Sequence, residues 1–197
     1  MSLKGKHIGF GLTGSHCTYD EVMPVMQQLV DEGAKVTPFV SYTVQSTDTK
    51  FGRSEDWLEK IRSITPEPVV DSIVKAEPFG PQTPLDCMVI APLTGNSTSK
   101  LANALTDSPV LMGAKATLRT GRPVVLAVST NDALGLNGVN IMKLMAAKNI
   151  FFVPFGQDHP FKKPNSLVAD MEKIPETIKE ALSHRQIQPV LIERYKD

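Results

Sequence analysis

Short apolar runs alternate along this chain with longer stretches in which apolar positions recur every three or four residues. The runs Lys6 to Leu12, Lys35 to Ser41, Leu85 to Ala91, Pro123 to Val128 and Ile150 to Pro154 read as strands buried on both faces. Tyr19 to Glu32 places Val22, Met26, Leu29 and Val30 on one helical face and stops at Gly33. Ser54 to Ile64 turns Trp57, Leu58 and Ile61 inward behind Ser54 as N-cap, and Pro66 and Pro68 end it. Further helices are predicted over Thr98 to Leu105, Val110 to Leu118, Asn140 to Lys148 and Asp170 to Ser183. The proline-rich stretch from Thr65 to Pro84 reads mostly as loop, and Pro189 begins an exposed tail.

This alternation predicts one α/β domain over residues 1–197 with an extended C-terminal tail from about residue 185. The expected architecture is a three-layer, doubly wound parallel sheet of flavodoxin-like (Rossmann-like) type. Ligands collect in such sheets at the carboxyl ends of the strands, where the winding reverses. The predicted strand ends carry Thr13-Gly14-Ser15, Ser41 with Thr43, Pro92 to Thr98, and Ser129-Thr130-Asn131-Asp132. Any one of these residues can simply cap a helix. Four such loops on one rim predict a shared ligand. The first and third each lead from a strand into a helix, where free N–H groups and a positive helix end favour an anion. A nucleotide or flavin fits that pairing. Gly11-x-x-Gly14 lacks the third glycine of the dinucleotide fingerprint, no acidic residue ends strand two, and no Walker loop is present, so NAD binding on this chain is disfavoured.

Composition narrows the partners. Lys plus Arg and Asp plus Glu stand at 21 each, so no global field draws the chain to nucleic acid or an anionic membrane. No apolar run approaches the roughly 20 residues of a membrane span, and the N-terminus carries no signal-peptide core, so a cytoplasmic location is expected. Cys17 and Cys87 are too few for a disulfide framework or a zinc site, and no metal is expected.

Several residues are candidates for chemistry. His16, at a helix start beside the first loop, is either a general base or a packing histidine. Cys17 is either a low-pKa thiolate or a structural thiol. His159 with Lys162 and Lys163 is either a basic loop suited to a dicarboxylate or a solvated surface. Met23, Met26, Met142 and Met145 recur at helical spacing, as core residues do.

Gly11-Leu12-Thr13-Gly14-Ser15, Ser41 and Ala91-Pro92-Leu93-Thr94-Gly95-Asn96-Ser97-Thr98-Ser99-Lys100-Leu101-Ala102 resemble the loops of the flavoprotein superfamily of flavin-containing cysteine decarboxylases and flavin prenyltransferases. The resemblance runs from about residue 4 to about residue 192. It extends to Asn131-Asp132-Ala133-Leu134-Gly135 and to Gln157-Asp158-His159-Pro160-Phe161-Lys162-Lys163-Pro164. It implies a trimer, or another homo-oligomer in multiples of three, with FMN between protomers. It places the flavin against Thr13, Gly14, Ser15 and Ser41, then Thr94, Gly95, Asn96 and Ser97, and Ser129. Within the superfamily the chain resembles one of the two components of an oxidoreductase of spore-forming bacteria. That enzyme aromatises a partly reduced ring dicarboxylate, and its other component, the A subunit, uses NAD(P).

Asn131 stands in what survives of the decarboxylases' substrate clamp; by their own chemistry His159 and Lys162 would meet the dicarboxylate, and His16 at its helix start would be the catalytic base. Ser129 stands where the prenyltransferases carry an arginine. Residues 42–86 contain no histidine and no cysteine follows Cys87, so the decarboxylases' catalytic pair has no counterpart and decarboxylation is not expected. Two further readings remain open: a stand-alone FMN enzyme and a non-catalytic scaffold subunit.

Overall fold

The computed structural model describes residues 2–195. Strands β1 (His7–Leu12), β2 (Lys35–Val40), β3 (Cys87–Leu93), β4 (Val124–Thr130) and β5 (Ile150–Phe152) form a parallel sheet. Their order, β2-β1-β3-β4-β5, is the flavodoxin-like doubly wound order. Two short strands were not evident from periodicity: β6 (Phe155–Gly156) and β7 (Leu167–Ala169). β7 pairs antiparallel with the carboxyl end of β4, Ser129 opposite Val168 and Thr130 opposite Leu167.

Helices cover both faces. One layer holds α1 (Tyr19–Asp31), α3 (Ser54–Ile64) and α8 (Ile174–Ala181), preceded by the short α2 (Tyr42–Ser46). The other holds α4 (Ile73–Ala76), α5 (Gly95–Ala102), α6 (Pro109–Arg119) and α7 (Gly138–Met145). Every residue of β3 is buried, as expected for a central strand with helices on both sides. Among the described residues no helix is long and apolar enough to cross a membrane.

The differences from the predicted boundaries have local causes. The helix expected from Thr98 begins at Gly95, because the Thr94 side chain caps it by accepting from Ser97 N at 3.3 Å. Ser54 is the first helical residue of α3 and not its cap; Asp48 Oδ1 accepts from Ser54 N (2.8 Å) and Oγ (3.1 Å). The proline-rich stretch contains α4, capped by Ser72, and a 3-10 turn at Glu77–Phe79. The last helix starts at Ile174, after a separate 3-10 turn at Met171–Lys173.

Both edges of the parallel sheet are partly covered by groups outside the strands. At β2, Pro38 has no N–H to offer, its carbonyl accepts from Val70 N (2.8 Å), and Val40 N donates to Val70 O (3.0 Å). At β5 the Gln186 amide acts like a strand peptide. Its Oε1 accepts from Phe152 N and its Nε2 donates to Phe152 O, each at 2.7 Å. The segment beyond residue 185, expected as an exposed tail, is instead mostly half-buried, because it is anchored to the sheet. Phe155 N donates to Val190 O (3.0 Å) and Ile192 N to Phe155 O (3.1 Å). Gly156 lies so close to the Ile192 carbonyl oxygen that no Cβ would fit there.

Glycines on β1 set the distance between sheet and helix. A Cβ on Gly11 would meet Val110 Cγ1 at 2.7 Å and Met88 Cε at 2.9 Å. Gly11→Ala is therefore expected to destabilise the protein by about 1–3 kcal/mol through overpacking, read as a lowered urea midpoint at unchanged m-value. His7 makes a second prediction. Burial, then the Lys35 ammonium, lowers its pKa below 6.5, and Nε2 bonds Thr37 Oγ1 at 2.8 Å. The folded state resists protonation of the ring more than the unfolded state does. Stability should therefore fall as pH drops through 6.5 towards the depressed folded value, and His7→Asn should remove that component of a urea midpoint against pH series.

Candidate functional site

In this strand order the winding reverses between β1 and β3, and the loops after these strands part to leave a crevice. Thr13 bridges the gap. Its hydroxyl donates to Pro92 O at 2.6 Å and accepts from Thr94 N at 3.0 Å, and the side chain is fully buried. Tyr19 OH donates to Thr13 O at 2.8 Å from the start of α1, and burial pushes its phenol pKa up. One hydroxyl thus joins both candidate phosphate loops.

A cleft of about 360 Å³ opens on one side, lined by Thr13, Gly14, Ser41, Thr94, Asn96 and Ser97, with Lys100 at its rim. Its chemistry suits a phosphorylated, hydroxyl-rich group. The first N–H groups of α5 have no acceptor within the helix and carry its positive end. Ser41 Oγ is buried with no hydrogen-bond partner among the described residues. The Lys100 ammonium, 2.6 Å from Asp107, places a cation beside the opening. Gly14 is required because a Cβ there would meet Thr43 Cγ2 at 2.8 Å. Gly95 faces the other way, against Thr130, Asp132 and Asn137, so only its backbone is available to a ligand.

A second cleft of about 260 Å³ is lined by Ser15, Ser129, Asn131, Asp158, Lys163, Ser166 and Arg194, among others. Ser15 Oγ and Ser129 Oγ are hydrogen-bonded at 2.9 Å. Lys163 pairs with Asp158 at 3.3 Å and Arg194 with Glu21 at 2.9 Å. Burial pushes the Asp158 carboxyl up, but the nearby Ser166 hydroxyl and the Lys163 ammonium outweigh it and hold the group below its ordinary value. Even so, neither Asp158 Oδ1 nor Ser166 Oγ makes a hydrogen bond of normal geometry, and both atoms are buried. The turn after β4 is ordered by Asp132, which accepts from Thr130 Oγ1 (2.5 Å) and Asn137 Nδ2 (2.7 Å).

The sequence-derived candidates divide between the two clefts. Thr13, Gly14, Ser41, Thr94, Asn96 and Ser97 come together in the first, and Ser15, Ser129 and Asn131 in the second. His16 lines neither. Its Nδ1 must donate to Gly14 O (2.9 Å), since a carbonyl only accepts, which leaves Nε2 as the acceptor, buried and unpartnered. Lys162 is exposed outside both clefts, while its neighbour Lys163 lines the second. His159 stacks against Tyr195 of the tail with centroids 5.3 Å apart.

Asp158, Ser166 and Arg194 were missed as site residues. Asp158 sat within a recognised motif as a neighbour of its basic residues, and Arg194 belonged to a stretch read as tail. Ser166 gave no signal at all. Cys17 is an exposed free thiol, whereas burial pushes the Cys87 thiol up. Among the described residues no group of His, Cys, Asp or Glu could hold a metal ion.

A doubly wound sheet with two hydroxyl-lined loops joined at its switch point defines a class of α/β protein that takes its ligand at the carboxyl ends of the strands. The chain belongs to the flavoprotein family, which it matches over residues 1–183. It is 67% identical to the B subunit of dipicolinate synthase of Bacillus subtilis (strain 168) over 195 residues, 99% of this chain and 98% of that protein. It is also similar to the crystal structure of the dipicolinate synthase B subunit from Bacillus halodurans, with a TM-score of 0.92 and 74% identity over 98% of this chain and all of that one. The fold alone is shared with Burkholderia xenovorans DmrB in complex with FMN, a cubic protein cage for redox transfer. That pair has a TM-score of 0.69 and 16% identity over 91% of this chain and 96% of the other.

Thr13→Val keeps the shape of the bridge but strips Pro92 O and Thr94 N of their buried partner. It is expected to cost about 2 kcal/mol, with the loss visible in a denaturant midpoint and absent from Thr18→Val to that extent.

Proposed function

We propose that this chain is the B subunit of a dipicolinate synthase, acting with an NAD(P)-dependent A subunit to oxidise dihydrodipicolinate to dipicolinate during sporulation. The observation that carries the reading is the 67% and 74% identity, across nearly the whole chain, to the B subunits of two dipicolinate synthases. The setting is the cytoplasm of the mother cell, and the assembly is a homo-oligomer, a trimer or a multiple of three. As the Ser41 orphan hydroxyl and the open α5 terminus fit an anionic cofactor, FMN would be held by Thr13, Gly14, Ser15, Ser41, Thr94, Gly95, Asn96, Ser97 and Ser129. When bound, FMN supplies a two-electron acceptor.

Aromatisation removes a hydride equivalent and a proton from the ring, so the protein must position the ring and accept that proton. We assign the second task to His16, whose Nδ1 is committed to Gly14 and whose Nε2 is left to take a proton; since the ring lines neither cleft, the assignment rests on its place beside the first loop. Asn131, at the mouth of the second cleft, would orient the dicarboxylate, with His159 and Lys162 on the adjoining loop. The lack of the decarboxylases' histidine and late cysteine supports oxidation and not decarboxylation.

The test combines flavin titration with turnover. The purified chain should bind FMN, seen as quenched flavin fluorescence, and Ser41→Ala and Asn96→Ala should each weaken it up to about tenfold. With the A subunit present, His16→Asn should lower kcat about 100-fold while leaving FMN affinity unchanged. Full dipicolinate formation by that variant would remove His16 from the role of base.

A further inference from the structure

Helix α7 and the turn before it reverse the usual arrangement of a surface helix. Ile141 and Leu144 are buried beneath it, as expected, but its outer side is apolar too. Leu134 is 54% exposed, Leu136 92%, Val139 74% and Met142 56%. The polar side chains of the same stretch turn instead to neighbours within the chain. Asn137 Nδ2 donates to Asp132 Oδ2 (2.7 Å), Asn140 Nδ2 to Asn137 Oδ1 (2.9 Å), and Lys143 Nζ to Asn103 Oδ1 at the end of α5 (3.2 Å). Single exposed leucines are ordinary, but a helix apolar all round belongs to an interior, and a cluster of exposed apolar side chains marks a surface that something covers. The backbone here is already fixed. Leu134 N donates to Asn165 O (3.0 Å), Gly138 N to Gly135 O (3.1 Å) and Ile141 N to Asn137 O (3.0 Å), so little freedom is lost on docking.

Charge decides what covers it. Residues 133–142 include no charged side chain, and the two that flank them are taken up within the chain, Asp132 by Thr130 and Asn137, Lys143 by Asn103. An acidic or basic partner would find nothing here to pair with and would bury its own charge at a cost. The complement is therefore an uncharged apolar face. Among the described residues this chain presents one, the patch itself, which with Leu105 just past α5 holds five of the ten exposed large apolar side chains. Lys plus Arg and Asp plus Glu balance at 21 each, so copies of the chain do not repel one another. We propose that the outer face of residues 134–142 is the contact between copies of this chain, with Leu136, Val139 and Met142 of each copy packing together around the symmetry axis. The proposal rests on the homo-oligomer reading above and names the surface that makes it.

The experiment uses the full-length chain alone, in sedimentation velocity. The native chain should sediment as an oligomer. Val139→Glu with Met142→Glu should raise its dissociation constant at least about 100-fold, because every copy brings its carboxylates to the same axis. Val74→Glu, at an exposed apolar position on α4, should leave the oligomer intact. A second measurement needs no variant and decides alone if the double variant fails to fold: in dilute peroxide, Met142 of the native oligomer should oxidise as slowly as the buried Met26 and Met88, although it is half exposed in the single chain. A folded double variant that still assembles, or a native oligomer whose Met142 oxidises rapidly, overturns the proposal and leaves the homo-oligomer reading standing. A native chain that sediments as a monomer overturns both, and loss of A-subunit binding by the double variant would then give the patch to that subunit.

Discussion

The site hangs on a single hydroxyl. A doubly wound sheet must part its loops where the winding reverses, and parted loops leave backbone groups that neither water nor strand pairing can satisfy. Thr13 meets a carbonyl from one loop and an N–H from the other with one side chain. The positions of Gly14 and Ser15 on one side, and of the α5 terminus on the other, are thereby fixed relative to each other. Tyr19 OH then ties the Thr13 carbonyl to the first turn of α1, so the bridge is held by the helix layer as well as by the sheet.

From that point the molecule presents two clefts of different character. The first is a helix terminus with hydroxyls and a cation at its edge, which is the chemistry of phosphate binding. The second mixes acids, bases and neutral donors, and is assembled from distant stretches: the first loop, the end of β4, the loop before β7 and the tail. Ser15 and Ser129 meet across 114 positions of sequence and join the first loop to the end of β4. β4 makes this arrangement possible by pairing with β5 over its first half and with β7 over its last residues. The same strand thus belongs to the core sheet and to the wall of the cleft.

The parallel sheet and its helices were legible because buried strands and amphipathic helices leave strong periodic marks. The first cleft was legible too, since it is made of contiguous loops whose residue types state their chemistry. What the sequence hid depends on contacts between remote segments. β6 and β7 have only two and three residues, too few for a period to show. Ser129 and Thr130 read as loop because hydroxyl residues ended an apolar run, yet strand pairing carried them into β4. Lys162 and Lys163 are indistinguishable by type, and only the backbone turn from His159 to Ser166 decides which one faces the cleft. Arg194 depends on a tail pairing that no local pattern announces.

The closed edges of the sheet have a bearing on how copies can meet. Open strand edges invite a second chain to extend the sheet, which is a route to aggregation as well as to assembly. Here the main-chain groups midway along β2 are occupied by Val70 or, at the Pro38 nitrogen, are absent, and those of Phe152 at the end of β5 are taken by the amide of Gln186. At those positions a further strand finds no free main-chain group to pair with, so the sheet cannot simply be extended there by backbone hydrogen bonds, which accept almost any strand.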